Sequence, residues 1–485
     1  KAKGFTNEGA NYLVDAKFTQ VKNHDWLPVI GYQQYRELDE PGARKKYGLA
    51  IRPANASLYN EQARNYAPFS EPVSFNAVIG TTDDQTVVAP GSLRKTWKKG
   101  KRSYFHYATD VSIRNDYSFL SAKYALYKGE WKAPGDQGRP VALEIYYDAG
   151  NTKNLERMIK SMKASLSYYT KEFGPYPHQQ LRFVTNPGYG GGNHADPGNI
   201  IAQEGFFILN PEQNEQGFDM VTAVVAHEVA HQWWGKQLRS AYVEGAGLLS
   251  ESLAWYSAIG MLEEKYGPEH SKALLTFLMK DYENPRSKAG VPLLQANDTY
   301  NYYRKGPLAM HTLSRYIGKG KVNGALKSMV QKYRPGQLPM PTSLDLYQEL
   351  ALVTPDSLQY LLHDLFKTNT FWDLQGKQAT IKKVKRNRNG SYEVTFTIEA
   401  RKYLVDQNGI EKDVPLRDWI ELGVFAPAKE GEIRGKQIYL QKHFITKNQQ
   451  AITITVPVKP AEAGIDPNHL LVDWDVLDNF RGVKN

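Results

Sequence analysis

The chain has 485 residues, 41% of them hydrophobic and 12% aromatic, enough to bury several cores in roughly two to four domains. Its formal charge of +10 is scattered, with small clusters only around residues 98–102 and 382–388, so no nucleic-acid partner is expected. Zero cysteines exclude disulfides and thiolate metal sites. The apolar runs fall far short of the roughly 20 residues of a membrane helix, and no charged start followed by an apolar stretch marks a signal peptide.

Up to about residue 145 the pattern is that of strands and turns. VSFNAVIGTT (73–82), RSYFHYATDVSI (102–113) and VALEIYY (141–147) alternate polar with apolar or aromatic residues, and Ala89-Pro90-Gly91 and Ala133-Pro134-Gly135-Asp136 punctuate them. Leu38-Asp39-Glu40-Pro41 breaks the chain before a short helical stretch, GARKKYG. The period then changes: Leu155, Met158, Ile159, Met162, Leu166, Tyr169 and Phe173 recur three and four apart, predicting an amphipathic helix that stops at Gly174-Pro175. A strand (LRFVT), a glycine-rich loop (GYGGGNHADPGN, 188–199) and several helices carry the chain to about Trp372. Strands return in ATIKKVKR, SYEVTFTIEA, DWIELGVFA, AITITVPV and HLLVDWDVLDN, with hairpin signals at Asn389-Gly390 and Asn408-Gly409. The expected architecture is multidomain α+β: an amino-terminal β domain (1–148), a mostly helical catalytic domain (149–374) and a carboxy-terminal β-sandwich (375–485).

The chemistry is concentrated in His227-Glu228-Val229-Ala230-His231, inside a segment (221–235) that reads as one helix. Histidines four apart on a helix project from one face within reach of a single metal ion. A second helical stretch, LLSESLAWYSAIGMLEEKYG, follows a glycine-rich connection and carries Glu251 in its first turns. Two imidazoles and one carboxylate form the ligand set of a catalytic zinc whose fourth position is left to water, and Glu228 is then free to act as general base. A solvated helix face is the plain alternative for an isolated motif of this kind; the following glycine stop and Glu251 weigh against it.

HEVAHQWWG, SESLAWYSA and Tyr303-Arg304-Lys305-Gly306 together resemble the zinc aminopeptidases of the aminopeptidase N and leukotriene hydrolase family. TKEFGPYPHQQLRFV (170–184) is similar to that family's entry into its thermolysin-like catalytic domain. The resemblance implies one zinc held by His227, His231 and Glu251, Glu228 as base, and Tyr303 as the donor that stabilises the oxyanion. It also implies that the amino-terminal domain, shorter than the family's, lacks its first strands. Two departures stand out. The interval from His231 to Glu251 is one residue longer than usual, which puts Ser250 at the nominal ligand position. The glycine loop contains no glutamate to hold a substrate's amino terminus, so Gly190, Gly191, Gly192 and Asp196 are the candidate substrate-binding residues, with Asp196 as the substitute carboxylate.

WLPVIGYQQYRELDEPGARKKYGLA, DDQTVVAPGSLRKTW and RSYFHYATDVSIRNDYSFLSAKY are similar to the peptidase portion of bacterial proteins in which an ABC transporter permease is fused to such a peptidase. That likeness implies a soluble fragment of a membrane protein, linked to a permease and facing the periplasm in preference to the cytoplasm. The expected activity is peptide hydrolysis. A peptide-binding module serving a transporter, and a zinc hydrolase of a non-peptide substrate, are the alternatives.

Overall fold

Strand alternation in VALEIYY and the helical period beginning at Leu155 meet in one βαβ unit. In the computed structural model, which describes residues 18–28, 38, 41–50, 55–133, 135, 140–186, 192–210, 217–280, 290–384, 391–431, 434–473 and 475–484, Val141–Tyr147 pairs in parallel with Gln180–Asn186. The helix Leu155–Phe173 makes the crossover between them. All seven residues of its predicted apolar stripe are buried, and Gly174, at φ 122°, ends it in a conformation that favours glycine.

The chain divides into two units, residues 1–277 with 320–352, and residues 278–319 with 353–485. In the first, a five-stranded sheet runs in the order His194–Asp196, Asn199–Gln203, Gln180–Asn186, Val141–Tyr147, Ala125–Trp131. His194–Asp196 is an edge strand, antiparallel to its neighbour. Smaller sheets precede it. Asn76–Thr82, Arg102–Ala108 and Ser92–Lys99 form one, and Phe18–Lys22, Ser118–Ala122 and Thr86–Val88 form another. The five-stranded sheet thus spans residue 148, where the sequence suggests a boundary.

In the second unit the long hairpin of Thr370–Val384 with Ser391–Val405 seeds an eight-stranded sheet. Gln437–Ile445 lies at one end of the strand order, while Gln449–Val456 pairs with Ser391–Val405 near the other. Only residues 446–448 join these two strands. With neighbouring strands about 4.8 Å apart, so short a link cannot cross an open sheet of this width, so the sheet curls. One predicted strand is absent: residues 469–473 and 475–479 of HLLVDWDVLDN form loop and turns with one isolated parallel bridge, Asp473 to Trp372, and the last strands are Glu462–Ile465 and Phe480–Lys484. Asp466 is the reason. Its carboxylate accepts from the backbone N–H groups of Leu470 (3.0 Å) and Leu471 (2.9 Å), bonds that compete with a strand ladder. Among the described residues no helix is long and apolar enough to cross a membrane.

The helix Gly306–Ile317 buries His311, and burial, with Arg315 and Lys319 adding to it, pushes that imidazole down to about 3. The folded state therefore holds His311 neutral while the unfolded chain protonates it near pH 6.5, so its contribution is fully present above about pH 6.5 and is lost as pH falls toward 3. Urea denaturation at a series of pH values should show this loss, and His311→Leu should shallow the acid limb by about one proton, or about 1.4 kcal/mol per pH unit. An unchanged slope would contradict the assignment.

Candidate metal centre

The helix Met220–Ala230 starts at Asp219, whose carboxylate accepts from Thr222 N–H at 3.1 Å and is ion-paired with Arg157. Tyr169 O–H of the crossover helix donates to the Ala226 carbonyl at 2.8 Å, and Ser161 O–H to that of Thr222 at 2.9 Å. The regular helix ends earlier than the sequence suggests, at Ala230 and not near Gly235. Trp233 N–H and Trp234 N–H both donate to the Ala230 carbonyl, tightening the chain into a turn. His231 keeps helical geometry (φ −60°, ψ −18°) and its N–H still reaches the His227 carbonyl, so the two imidazoles stay on one face.

Their Nε2 atoms lie 3.1 Å apart, and each lies 3.4 Å from Glu251 Oε2. A tetrahedral zinc with ligands at about 2.0–2.2 Å keeps its ligand atoms ~3.3–3.6 Å apart, so this triangle has the size of one face of a zinc coordination sphere. Among the described residues no other group of three such side chains is so arranged. Glu251 opens the helix Glu251–Tyr266, where the helix dipole favours a carboxylate. A 3₁₀ turn, Ala246–Leu249, and Ser250 at φ −107° and ψ −78° precede it and take up the longer interval, leaving Glu251 on the histidines. Around the ligands, His231 Nδ1 meets the Trp234 carbonyl at 3.1 Å, which orients Nε2 toward the centre. The Trp255 ring stacks on His227 at 4.2 Å. Trp233 and Trp234 are fully buried, their N–H groups donating to the Gly174 carbonyl and to Ser257 Oγ.

Glu228 is 5% exposed, and its Oε2 is buried with no hydrogen-bond partner among the described residues. Burial pushes its carboxyl up to about 7 against the lowering pull of His231, with Glu251 adding to the rise. Glu251 goes the other way: burial works against its charge, but His231 and His227 hold it well below the usual carboxylate range. A dication beside Glu228 favours its ionised, proton-accepting form. The two buried imidazoles, the ionised Glu251 and the triangle they form fit zinc.

Of the candidate substrate-binding residues, Gly190 and Gly191 lie outside the described residues. Gly192 is described, and a Cβ there would meet nothing within 4 Å. Asp196 ends the edge strand, 3.9 Å from His194 Nε2, and its Oδ2 is buried without a hydrogen-bond partner. Arg114 and Lys236 both feel its charge. Sequence reasoning missed Gln232, the residue after the ligand His231. Its amide accepts from Gly198 N–H at 2.9 Å and donates to the Asp196 carbonyl at 3.1 Å, tying the metal helix to the hairpin that carries Asp196. A polar residue at a tightly turned helix end was the only signal. Tyr303 belongs to the second unit, in the π-turn Asn301–Lys305. There Lys305 is buried, donating to Asn369 Oδ1 at 2.7 Å.

Residues 155–363, which contain every element of this centre and Tyr303, match the Peptidase family M1 domain. In sequence this segment is similar to peptidase family M1. The chain is 21% identical over 401 residues to aminopeptidase 2 of Candida albicans, covering 80% of this chain and 38% of that protein. It is 26% identical over 166 residues to a probable aminopeptidase 1 of Sulfurisphaera tokodaii, covering 32% and 21%. The crystal structure of Legionella pneumophila aminopeptidase A, in complex with aspartic acid, shares the fold at 15% identity with a TM-score of 0.56, over 83% of this chain and 44% of that one. The chain therefore spans less than half the length of each of these relatives.

Proposed function

We propose that the chain is a zinc-dependent peptidase of aminopeptidase-like type, acting on peptide substrates. The observation that carries this reading is the unpartnered Oε2 of Glu228 next to the three-ligand triangle; a purely structural metal site has no use for a buried base. When bound, zinc supplies a Lewis acid that polarises the scissile carbonyl and acidifies water. Glu228 takes the water's proton at Oε2 and delivers it to the leaving amine. Tyr303 donates its O–H to the developing oxyanion, a role that rests on the Tyr-Arg-Lys-Gly resemblance. The edge strand His194–Asp196, continuous with the glycine loop, offers main-chain groups to an extended peptide, and Asp196 takes the place of the family's amine-holding glutamate.

Asp196 is almost fully buried and already shares its field with Arg114 and Lys236, so its attraction for a substrate ammonium is weakened. Preference for a free amino terminus should accordingly be shallow, below about tenfold, where a charge-assisted bond worth about 1.5–3 kcal/mol would give more. Cleavage of one peptide with free and acetylated amino termini, in the wild type and in Asp196→Asn, measures this. Strong rejection of the acetylated peptide that survives Asp196→Asn would assign the amine to another carboxylate.

A connection to a membrane permease, with the peptidase facing the periplasm, is the finer part of the proposal and rests on the sequence resemblance alone. Fractionation of the full-length gene product tests it, since recovery wholly in the soluble fraction would count against the fusion.

A further inference from the structure

A second concave site lies in the first unit, just past the metal helix. It is a cavity of about 770 Å³ formed by the turn after the metal helix, the end of the crossover helix and residues 327–341. That is within the range of small-molecule sites, roughly 300–1,000 Å³. Five of its wall residues are cations, Arg114, Lys236, Arg239, Lys327 and Arg334, and Glu71 is the only carboxylate among them. Ile113, Phe173 and Met340 supply apolar wall. Prolines, which have no N–H to offer, make up part of the remainder, and neutral polar side chains such as Gln237, Gln331 and Tyr333 supply further donors beside the cations.

Most of that donor capacity is unspent. Arg114 is engaged, with Asp116 Oδ2 at 3.3 Å and the Phe69 and Pro68 carbonyls at 3.2 and 3.1 Å. Arg239 uses one NH2 on the Pro68 carbonyl at 3.2 Å, while its Nε is buried without a hydrogen-bond partner, as is Nε2 of Gln237 beside it. Lys236, Lys327 and Arg334 form no side-chain ion pair among the described residues. In the proposed peptidase scheme only Arg114 and Lys236 have a part, through the field they share with Asp196, and Arg239, Gln237, Lys327 and Arg334 have none.

We propose that this cavity binds a small organic anion, a carboxylate or phosphate group carried on an apolar or aromatic body. The anionic group sits among Lys236, Arg239 and Gln237, filling their open hydrogen bonds, and the body lies against Phe173 and Met340. The field of the protein supports this. Burial, with Arg114 adding to it, pulls Lys236 down to about 8 even though Asp116 and Asp196 favour its charge. Burial and Arg114 likewise pull Arg239 down to about 9 despite Asp116. An anion there favours the charged forms that burial disfavours.

Isothermal titration calorimetry on the zinc-loaded chain with N-acetyl-phenylalanine, its carboxamide and phenyl phosphate tests the proposal. The acid or the phosphate should bind, and whichever is tighter identifies the favoured group; the amide should bind at least about tenfold more weakly, the loss expected when one charge-assisted contact is removed. Arg239→Gln and Lys236→Met should each weaken binding of the anion by about tenfold or more, whereas His231→Ala, which removes a metal ligand, should change it by less than about twofold. If either core variant fails to fold, Lys327→Met and Arg334→Met at the rim decide, each expected to weaken binding about threefold. Equal binding of acid and amide, no binding of any probe, or binding that vanishes in His231→Ala but survives Arg239→Gln would overturn the site. The last outcome assigns the anion to the metal, and none of the three bears on whether the chain is a peptidase.

Discussion

Replacing Glu228 with glutamine should lower peptide turnover by about 10²–10⁴-fold while leaving zinc content unchanged, because a positioned general base contributes that much and the amide keeps the shape of the side chain without accepting a proton. Glu228 makes no contact that holds the ligand triangle together; its Oε2 has no partner among the described residues, so the substitution leaves no broken network behind it. Tyr303→Phe should also keep the metal and lose about a hundredfold or more, the usual loss for one oxyanion donor. Single-turnover measurements beside zinc analysis separate these effects. Loss in Tyr302→Phe with unchanged Tyr303→Phe would move the donor role by one residue, and full activity in Glu228→Gln would remove the base from the scheme.

The second large effect concerns the ligands. Removing Glu251 with alanine should weaken zinc binding by more than about a hundredfold, exceeding the 10–100-fold typical of losing a group that merely orients a ligand. Its Oε2 is the vertex shared by both histidines, and its charge is the only formal negative charge in the triangle. Competition against a chelator reads the affinity directly. Retention of tight zinc in Glu251→Ala would mean that another carboxylate completes the set. Glu244 is poorly placed for that, since its Oε2 accepts from Leu58 N–H at 3.4 Å.

The candidate metal centre was legible because its information is local: a spacing of four from His227 to His231 sets their common face, and a carboxylate at the start of the next helix completes the group. The crossover helix was legible for the same reason, since its stripe reports burial directly. What local pattern does not carry is the partner of each side chain. The metal helix ends at Ala230 with the Trp233 and Trp234 indoles bonded to Gly174 and Ser257, partners that no periodicity signals. Asp196 reads as an open loop carboxylate, yet Arg114 and Lys236, distant in sequence, bring their charge to bear on it. The loss of the strand expected at residues 469–479 has a similar origin, because the alternating pattern there is overridden by a single carboxylate, that of Asp466, capturing two backbone N–H groups.

The central claim is that one zinc at His227, His231 and Glu251 supports peptide hydrolysis. Its most direct test is a zinc titration of metal-stripped protein, following hydrolysis of an unblocked peptide panel at each addition. The expected result is no turnover in the stripped protein, a linear rise to a plateau at one equivalent of zinc, and for Glu228→Gln a rise lowered about 10²–10⁴-fold at every addition. Turnover that survives stripping, or that stays absent at one equivalent of bound zinc, would contradict it.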